Sequence, residues 1–190
     1  MIVIGITGTL GAGKGTVVEY LVQHHGFTHY SARELITKSL HERGIPVSRD
    51  TLIDMANELR ANCGHAHIME SLYEKAMAAG ENAVIESVRA IAEVDALKKH
   101  DHAHLLAVDA DPRLRYERIV KRGSETDNVP YEKFRSDEAR EMISNDPTKQ
   151  NIGACMQRAN FILENNGTLD DLKRQVSEVI RKIAANTNVK

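Results

Sequence analysis

"MIVIGITGTLGAGKGTVVEYLV", residues 1–22, sets an apolar run ahead of four closely spaced glycines, Gly8, Gly11, Gly13 and Gly15, with Lys14 among them. Residues 2–7 are apolar almost continuously, without the alternation of a strand exposed on one face, so they read as a strand covered on both sides. Beyond the glycines, Val17, Val18, Leu21 and Val22 form the apolar stripe of a helix. Glycines between a strand and a helix let backbone N–H groups converge on an oxyanion, and the helix N-terminus adds the positive end of its dipole. Lys14 supplies a point charge to the outer phosphates. Strand, glycine loop, lysine and helix in that order describe a phosphate-binding loop. A glycine-rich surface turn with a stray lysine would leave the flanking strand and helix unexplained.

Further strand-like runs occur at 27–31, 83–87, 104–110 and 160–165, separated by helical patterns. Strands alternating with helices give a parallel α/β sheet with helices on both faces. Helices are expected at 14–25, 32–43, 49–62 (capped by Ser48), 67–79 and 91–100. Another follows with Pro112 in its first turn and Gly123 at its end, and one restarts after Pro130. Thr168 and Asp171 form a capping box for the last helix, and the final "ANTNVK" reads as frayed. The fold class is α/β, three-layer αβα around a five-stranded parallel sheet, with 1–190 as a single domain.

The 25 basic and 27 acidic residues nearly cancel, which argues against a general nucleic-acid surface, and the absence of tryptophan removes an obvious stacking platform. The apolar opening is too short for a membrane span and lacks a leader pattern. Cys63 and Cys155 stand far apart, fitting two buried thiols in a reducing cytoplasm. His65 and His67 near Cys63, and the set His100, His102 and His104, lack partners at metal-ligand spacing.

The strict phosphate-loop pattern has Ser or Thr directly after the lysine, ligating Mg²⁺, whereas this chain has Gly15 there and Thr16 next. "GTLGAGKGT" (8–16) resembles the adenylate-kinase form of the loop, with the same Gly-Lys-Gly-Thr ending. The resemblance implies ATP cradled by Gly8, Gly11, Ala12, Gly13, Lys14 and Gly15, with Mg²⁺ held largely through water and Thr16 on phosphate.

Ligands of an open parallel sheet bind beyond the carboxyl ends of its strands, so the residues after each strand are the next candidates. "IESVR" (85–89) resembles the Asp-Gly-Phe-Pro-Arg segment of nucleoside monophosphate kinases. It implies Glu86 as the acid holding Mg²⁺ through water and Arg89 as the clamp on the acceptor's phosphate. "HYSARELI" (29–36) is similar to an adenylate-kinase segment through Ser31 and Glu34. The usual later arginine is missing, with Arg33 a substitute and Arg60 a second option for the acceptor. Asp109, at the end of "LLAVD", ranks below Glu86 as the metal's acid.

Arg113, Arg115, Arg118, Lys121 and Arg122 crowd one helix, and Arg135 and Arg140 follow. Arg115, Arg118 and Arg122 share a face. Such arginines stabilise a migrating phosphoryl group, with Arg118 and Arg122 the first choices and Arg135 assigned to substrate. The plainer alternative is a solvated surface balanced by Glu117, Glu132, Asp137, Glu138 and Glu141. "GSETDN" (123–128) is the expected mobile flap of a helical lid spanning about 112–147, opposite acceptor-binding helices at about 31–80.

"RANFILENNGTLDDLKRQV" (158–176) resembles the closing segment of dephospho-CoA kinases, which implies Asn166 beside the adenine. Through "ANELR" (56–60), "VIESVRAIAEVDALK" (84–98) and "YERIVKRG" (116–123), the chain resembles a mainly archaeal group of nucleotide kinases related to dephospho-CoA kinases. The aspartate that dephospho-CoA kinases carry after the second strand has no equivalent in "HYSAREL". The resemblance therefore implies an ATP-dependent kinase of P-loop type acting on a nucleoside or deoxynucleoside monophosphate, as a monomer or homodimer. A hydroxyl acceptor, or a nucleotide-dependent switch with slow hydrolysis, are the alternatives.

Overall fold

The apolar run at the N-terminus forms β1 (Val3–Gly8), and every residue of it is buried. The computed structural model describes residues 1–123 and 129–187. β1 is the middle strand of a five-stranded sheet completed by β2 (Thr28–Ser31), β3 (Ala83–Glu86), β4 (Ala103–Asp109) and β5 (Phe161–Glu164). The spatial order is β2-β3-β1-β4-β5 and all four pairings are parallel. Parallel neighbours require crossovers, which explains why helices separate the strands.

The helices are α1 (Lys14–His25), α2 (Ala32–Glu42), α3 (Arg49–Cys63), α4 (His67–Ala79), α5 (Ile91–Lys98), α6 (Pro112–Arg122), α7 (Tyr131–Met142), α8 (Ile152–Gln157) and α9 (Leu169–Thr187). Successive strand residues point to opposite faces and feed two cores. Ile4, Ile6, Val84, Leu106 and Val108 pack with Val17, Val18 and Leu21 of α1 and Leu172, Val176 and Ile183 of α9. On the other face Val3, Ile85 and Leu105 pack against α2 to α5 and Cys155 of α8. The three-layer α/β arrangement is thus the one read from the alternation of strands and helices.

Register aligns the carboxyl ends of the strands. Ile6 and Ser31 both pair with Glu86, and Gly8 pairs with Val108. The loops after β1, β2 and β3 therefore open on one edge, and α6 comes over the same edge: Ile119 and the Arg115 carbonyl pack against Gly11.

The structure departs from the sequence reading in three places. α8 was not foreseen, because six residues carry too little periodicity to register. Asn151 caps it, its side chain accepting from the Ala154 N–H at 3.1 Å, while Ile152 and Cys155 are buried. Cys63 is exposed at the end of α3, so only Cys155 is a buried thiol, with burial pushing its pKa up to about 12. α9 continues through Thr187, and the rest of the "ANTNVK" tail lies outside the described residues, as does the flap expected within 123–128, apart from Gly123. Among the described residues, no helix is long and apolar enough to cross a membrane.

Candidate active site

The loop between β1 and α1 owes its shape to three glycines in the left-handed region, Gly8, Gly11 and Gly13, with φ of 135°, 79° and 103°. A Cβ at Gly8 would lie 2.0 Å from the Val108 carbonyl oxygen, and one at Gly13 would lie 2.4 Å from Asn165 Nδ2. Gly15 differs: a Cβ there would meet no protein atom within 4 Å, so packing does not demand glycine at that position. The space beside it faces the cleft.

The loop is braced from behind. Thr9 Oγ1 donates to Asp109 Oδ1 at 2.7 Å and Asn165 Nδ2 donates to the Ala12 carbonyl at 2.8 Å. The Ala12 methyl lies in the core, so its contribution to a ligand is limited to backbone. Asp109 buttresses the loop from outside the cleft's lining.

Lys14 Nζ donates to the Gly8 and Thr9 carbonyls, at 3.0 and 2.8 Å. Burial lowers its pKa to about 7; Arg89 and Arg122 push the same way, and Glu86 and Glu141 oppose them. A lysine in this state is short of negative charge.

The cleft over the loop encloses about 600 Å³. On its near side are Lys14, Gly15, Thr16, Arg118 and Arg122. Its far side carries Ser31, Arg33, Arg49, Arg60, Glu86 and Arg89, with Ile36, Leu52, Ile53 and Ala56 as an aliphatic wall. Ser31 caps α2, its hydroxyl accepting from the Glu34 N–H at 3.2 Å. His29 Nε2 lies 3.2 Å from Glu86, and this bond lowers the Glu86 pKa and raises that of His29. Ser87, between Glu86 and Arg89, is the one non-glycine residue with positive φ among the described residues, at 73°, a strained geometry of the kind concentrated at functional sites.

Arg89 is held on two sides: its Nη1 donates to Gln150 Oε1 at 3.0 Å and to Glu141 Oε2 at 3.3 Å. Glu141, on α7, also accepts from Arg49 Nη2 at 2.6 Å. Arg60 is 1% exposed and donates through Nε to Glu93 at 2.9 Å.

Of the α6 arginines, Arg118 donates through Nη2 to the Asn165 carbonyl at 2.9 Å, and its Nη1 is buried with no partner among the described residues. Arg122 lines the cleft beside it. Arg115 is structural: buried, it bonds the Ala110 and Leu10 carbonyls and Glu138 and lies over the Phe134 ring, tying α6 and α7 to the loop.

Five expected site residues stand outside the cleft's lining: Gly8 and Ala12 of the loop, and Asn166, Arg135 and Glu34. Asn166 accepts from the Asp111 N–H at 2.7 Å and so anchors the start of α6, while its neighbour Asn165 braces the loop. Arg135 is spent on Glu138, one helical turn away, at 2.7 Å. Glu34 is exposed in the first turn of α2 and contributes to a separate surface hollow. Conversely, Arg49, Glu141, Gln150 and Asn165 were not singled out. Arg49 follows a helix cap, and Glu141 passed for one acid balancing a basic surface. Only the tertiary fold brings them to one place.

A family model described as an AAA domain matches residues 4–142, most of the chain. A UPF0200 protein of Methanocaldococcus jannaschii is 27% identical over 194 residues, covering 98% of this chain and 92% of the relative. Among solved structures, a gluconokinase from Sinorhizobium meliloti superposes with a TM-score of 0.61 at 16% identity, covering 99% of this chain and 96% of its own. A dephospho-CoA kinase from Campylobacter jejuni gives 0.52 at 16% identity, over 95% and 96%. The architecture is therefore that of P-loop kinases.

Proposed function

The chain belongs to the AAA domain family, and on that footing we propose that it transfers a phosphoryl group from ATP to a nucleoside or deoxynucleoside monophosphate. One observation carries the reading: the loop lysine, Lys14, and the arginine after β3, Arg89, line a single cleft closely enough that Arg89 depresses the lysine's pKa. A donor phosphate at Lys14 and an acceptor phosphate at Arg89 would then lie next to each other.

The residues present fit ATP and Mg²⁺. Gly15 leaves free the volume a side chain would fill, burial outweighs the pull of Glu86 and Glu141 on Lys14, and Arg118 Nη1 has no acceptor among the described residues. ATP supplies the phosphoryl group, and Glu86, with Thr16 beside the phosphates, would hold Mg²⁺ through water. Lys14 exchanges the Gly8 and Thr9 carbonyls for phosphate oxygens. Arg118 and Arg122 offset charge on the migrating group, and Arg89, with Arg33 and Arg60 on the same wall, orients the acceptor near the Ser31 cap. Catalysis is positioning and electrostatics, without a covalent intermediate.

An acceptor phosphate needs no base, because its oxygen is already anionic. A hydroxyl acceptor would need one; of the carboxylates lining the cleft, Glu86 is made less basic by its bond to His29, and Glu141 is engaged by Arg49 and Arg89. This favours a phosphate acceptor over a dephospho-CoA-like reaction. The lid, the acceptor helices and a cytoplasmic setting belong to the same proposal.

The test is ADP formation from ATP and Mg²⁺ with each ribo- and deoxynucleoside monophosphate and with dephospho-CoA, using Lys14→Ala as control. Turnover that depends on one monophosphate and is lost in the control is the expected result. Turnover only with dephospho-CoA would replace the acceptor class, and uniform background rates would leave a nucleotide-dependent switch.

A further inference from the structure

Arg49, in the first turn of α3, and Arg89, after β3, both donate to Glu141 of α7, at 2.6 and 3.3 Å. One carboxylate, 13% exposed, thus bridges two guanidinium groups on the acceptor side of the cleft. The same carboxylate also acts on Lys14, raising its pKa against the effect of burial.

A third guanidinium belongs to this wall. Arg60 is buried with one bond to Glu93 Oε1, and Glu93 Oε2 is already taken by the Arg89 and Ala90 N–H groups. Arg60 Nη1 is left buried without a partner among the described residues. Leaving such a group unsatisfied is costly, and Arg60 lines the cleft. The wall is built for more negative charge than the protein itself provides.

We infer that Arg49, Arg60 and Arg89 form one oxyanion subsite, and that Glu141 is its resident anion, displaced when the acceptor brings its own anionic group. That the occupant is the kinase's acceptor rests on the function proposed above. Arg89 keeps its bond to Gln150 after the exchange, so it stays in place. Moving Glu141 away without replacing it would leave two guanidinium charges uncompensated, so an acceptor lacking a phosphate or carboxylate cannot make the trade. The last turn of α7 is thereby coupled to acceptor occupancy, and Glu141 sets the threshold of charge that an acceptor must carry.

The experiment is calorimetric titration of inorganic phosphate into the wild-type chain and into Glu141→Gln, Arg49→Met and the double variant, each with and without a non-hydrolysable ATP analogue and Mg²⁺. The signal is the phosphate binding lost in Arg49→Met. Glu141→Gln should strengthen that binding roughly tenfold by removing a charge-assisted competitor, and the gain should vanish in the double variant. Glu141→Asp, which keeps the charge but shortens the reach, should shift affinity the same way by less, and it serves if the Gln variant fails to fold. Unchanged or weaker phosphate binding in the Glu141 variants, or no Arg49-dependent binding at all, would overturn the subsite. Analogue binding on the same samples reports on the kinase reading separately: its loss with the Arg49-dependent signal intact sinks that reading and spares the subsite.

Discussion

At the scale of residues, Lys14 links the loop's geometry to its chemistry. Its pKa in the free protein is about 7, against 10.5 for an ordinary lysine. Phosphate oxygens beside it favour the charged form, so ATP binding at pH 8 should take up most of one proton. Calorimetric titrations of ATP in buffers of different ionisation enthalpy would measure this, and Lys14→Met should abolish it; a buffer-independent heat would contradict it. The stability of the free protein follows the same shift. Between pH 7 and 10.5 the unfolded chain binds more protons at Lys14 than the folded one, so this residue's penalty is full below pH 7 and fades as pH rises. Lys14, the glycines, Glu86 and Arg89 were legible because their types are fixed by position relative to strand ends. Arg49, Glu141 and Gln150 were not, because charged and amide residues on amphipathic helices look alike in sequence whether they face water or a cleft. Asn165, which braces the loop, and Asn166, which anchors the start of α6, are adjacent identical residues, so sequence alone does not tell their roles apart.

At the scale of elements, the phosphate loop separates residues needed for folding from those needed for a ligand. Gly13→Ala forces a side chain into the left-handed region and against Asn165 Nδ2, so it should cost about 1–2 kcal/mol for the backbone alone, measurable by urea denaturation. Gly15→Ala meets no protein atom, so its denaturation midpoint should match wild type while ATP affinity falls. Equal stability losses in both variants would contradict the assignment of Gly15 to the ligand. Helix ends were the most legible features. Ser48 accepts from the Thr51 N–H, and Thr168 and Asp171 exchange side-chain and backbone bonds as the capping box requires. α8 escaped notice because its stability comes from tertiary burial of Ile152 and Cys155 rather than from a periodic pattern.

At the scale of the whole molecule, the order β2-β3-β1-β4-β5 places the loops after β2 and β3 on one side of the phosphate loop and those after β4 and β5 on the other. Ser31, Glu86 and Arg89 reach the cleft from the first side; Arg118 and the bracing Asn165 come from the second. The alternation of strands and helices made the parallel layers readable, whereas the convergence of α3, α7 and the β3 loop on Glu141 depends on packing with no local signature. The account's central claim is that this cleft moves a phosphoryl group from one ligand to another. The most direct measurement follows the label of γ-³²P ATP in the presence of the panel of monophosphates. Label recovered in a nucleoside diphosphate, and lost in Lys14→Ala, is the result the account requires. Label recovered only as inorganic phosphate, at a rate indifferent to every acceptor, would contradict it.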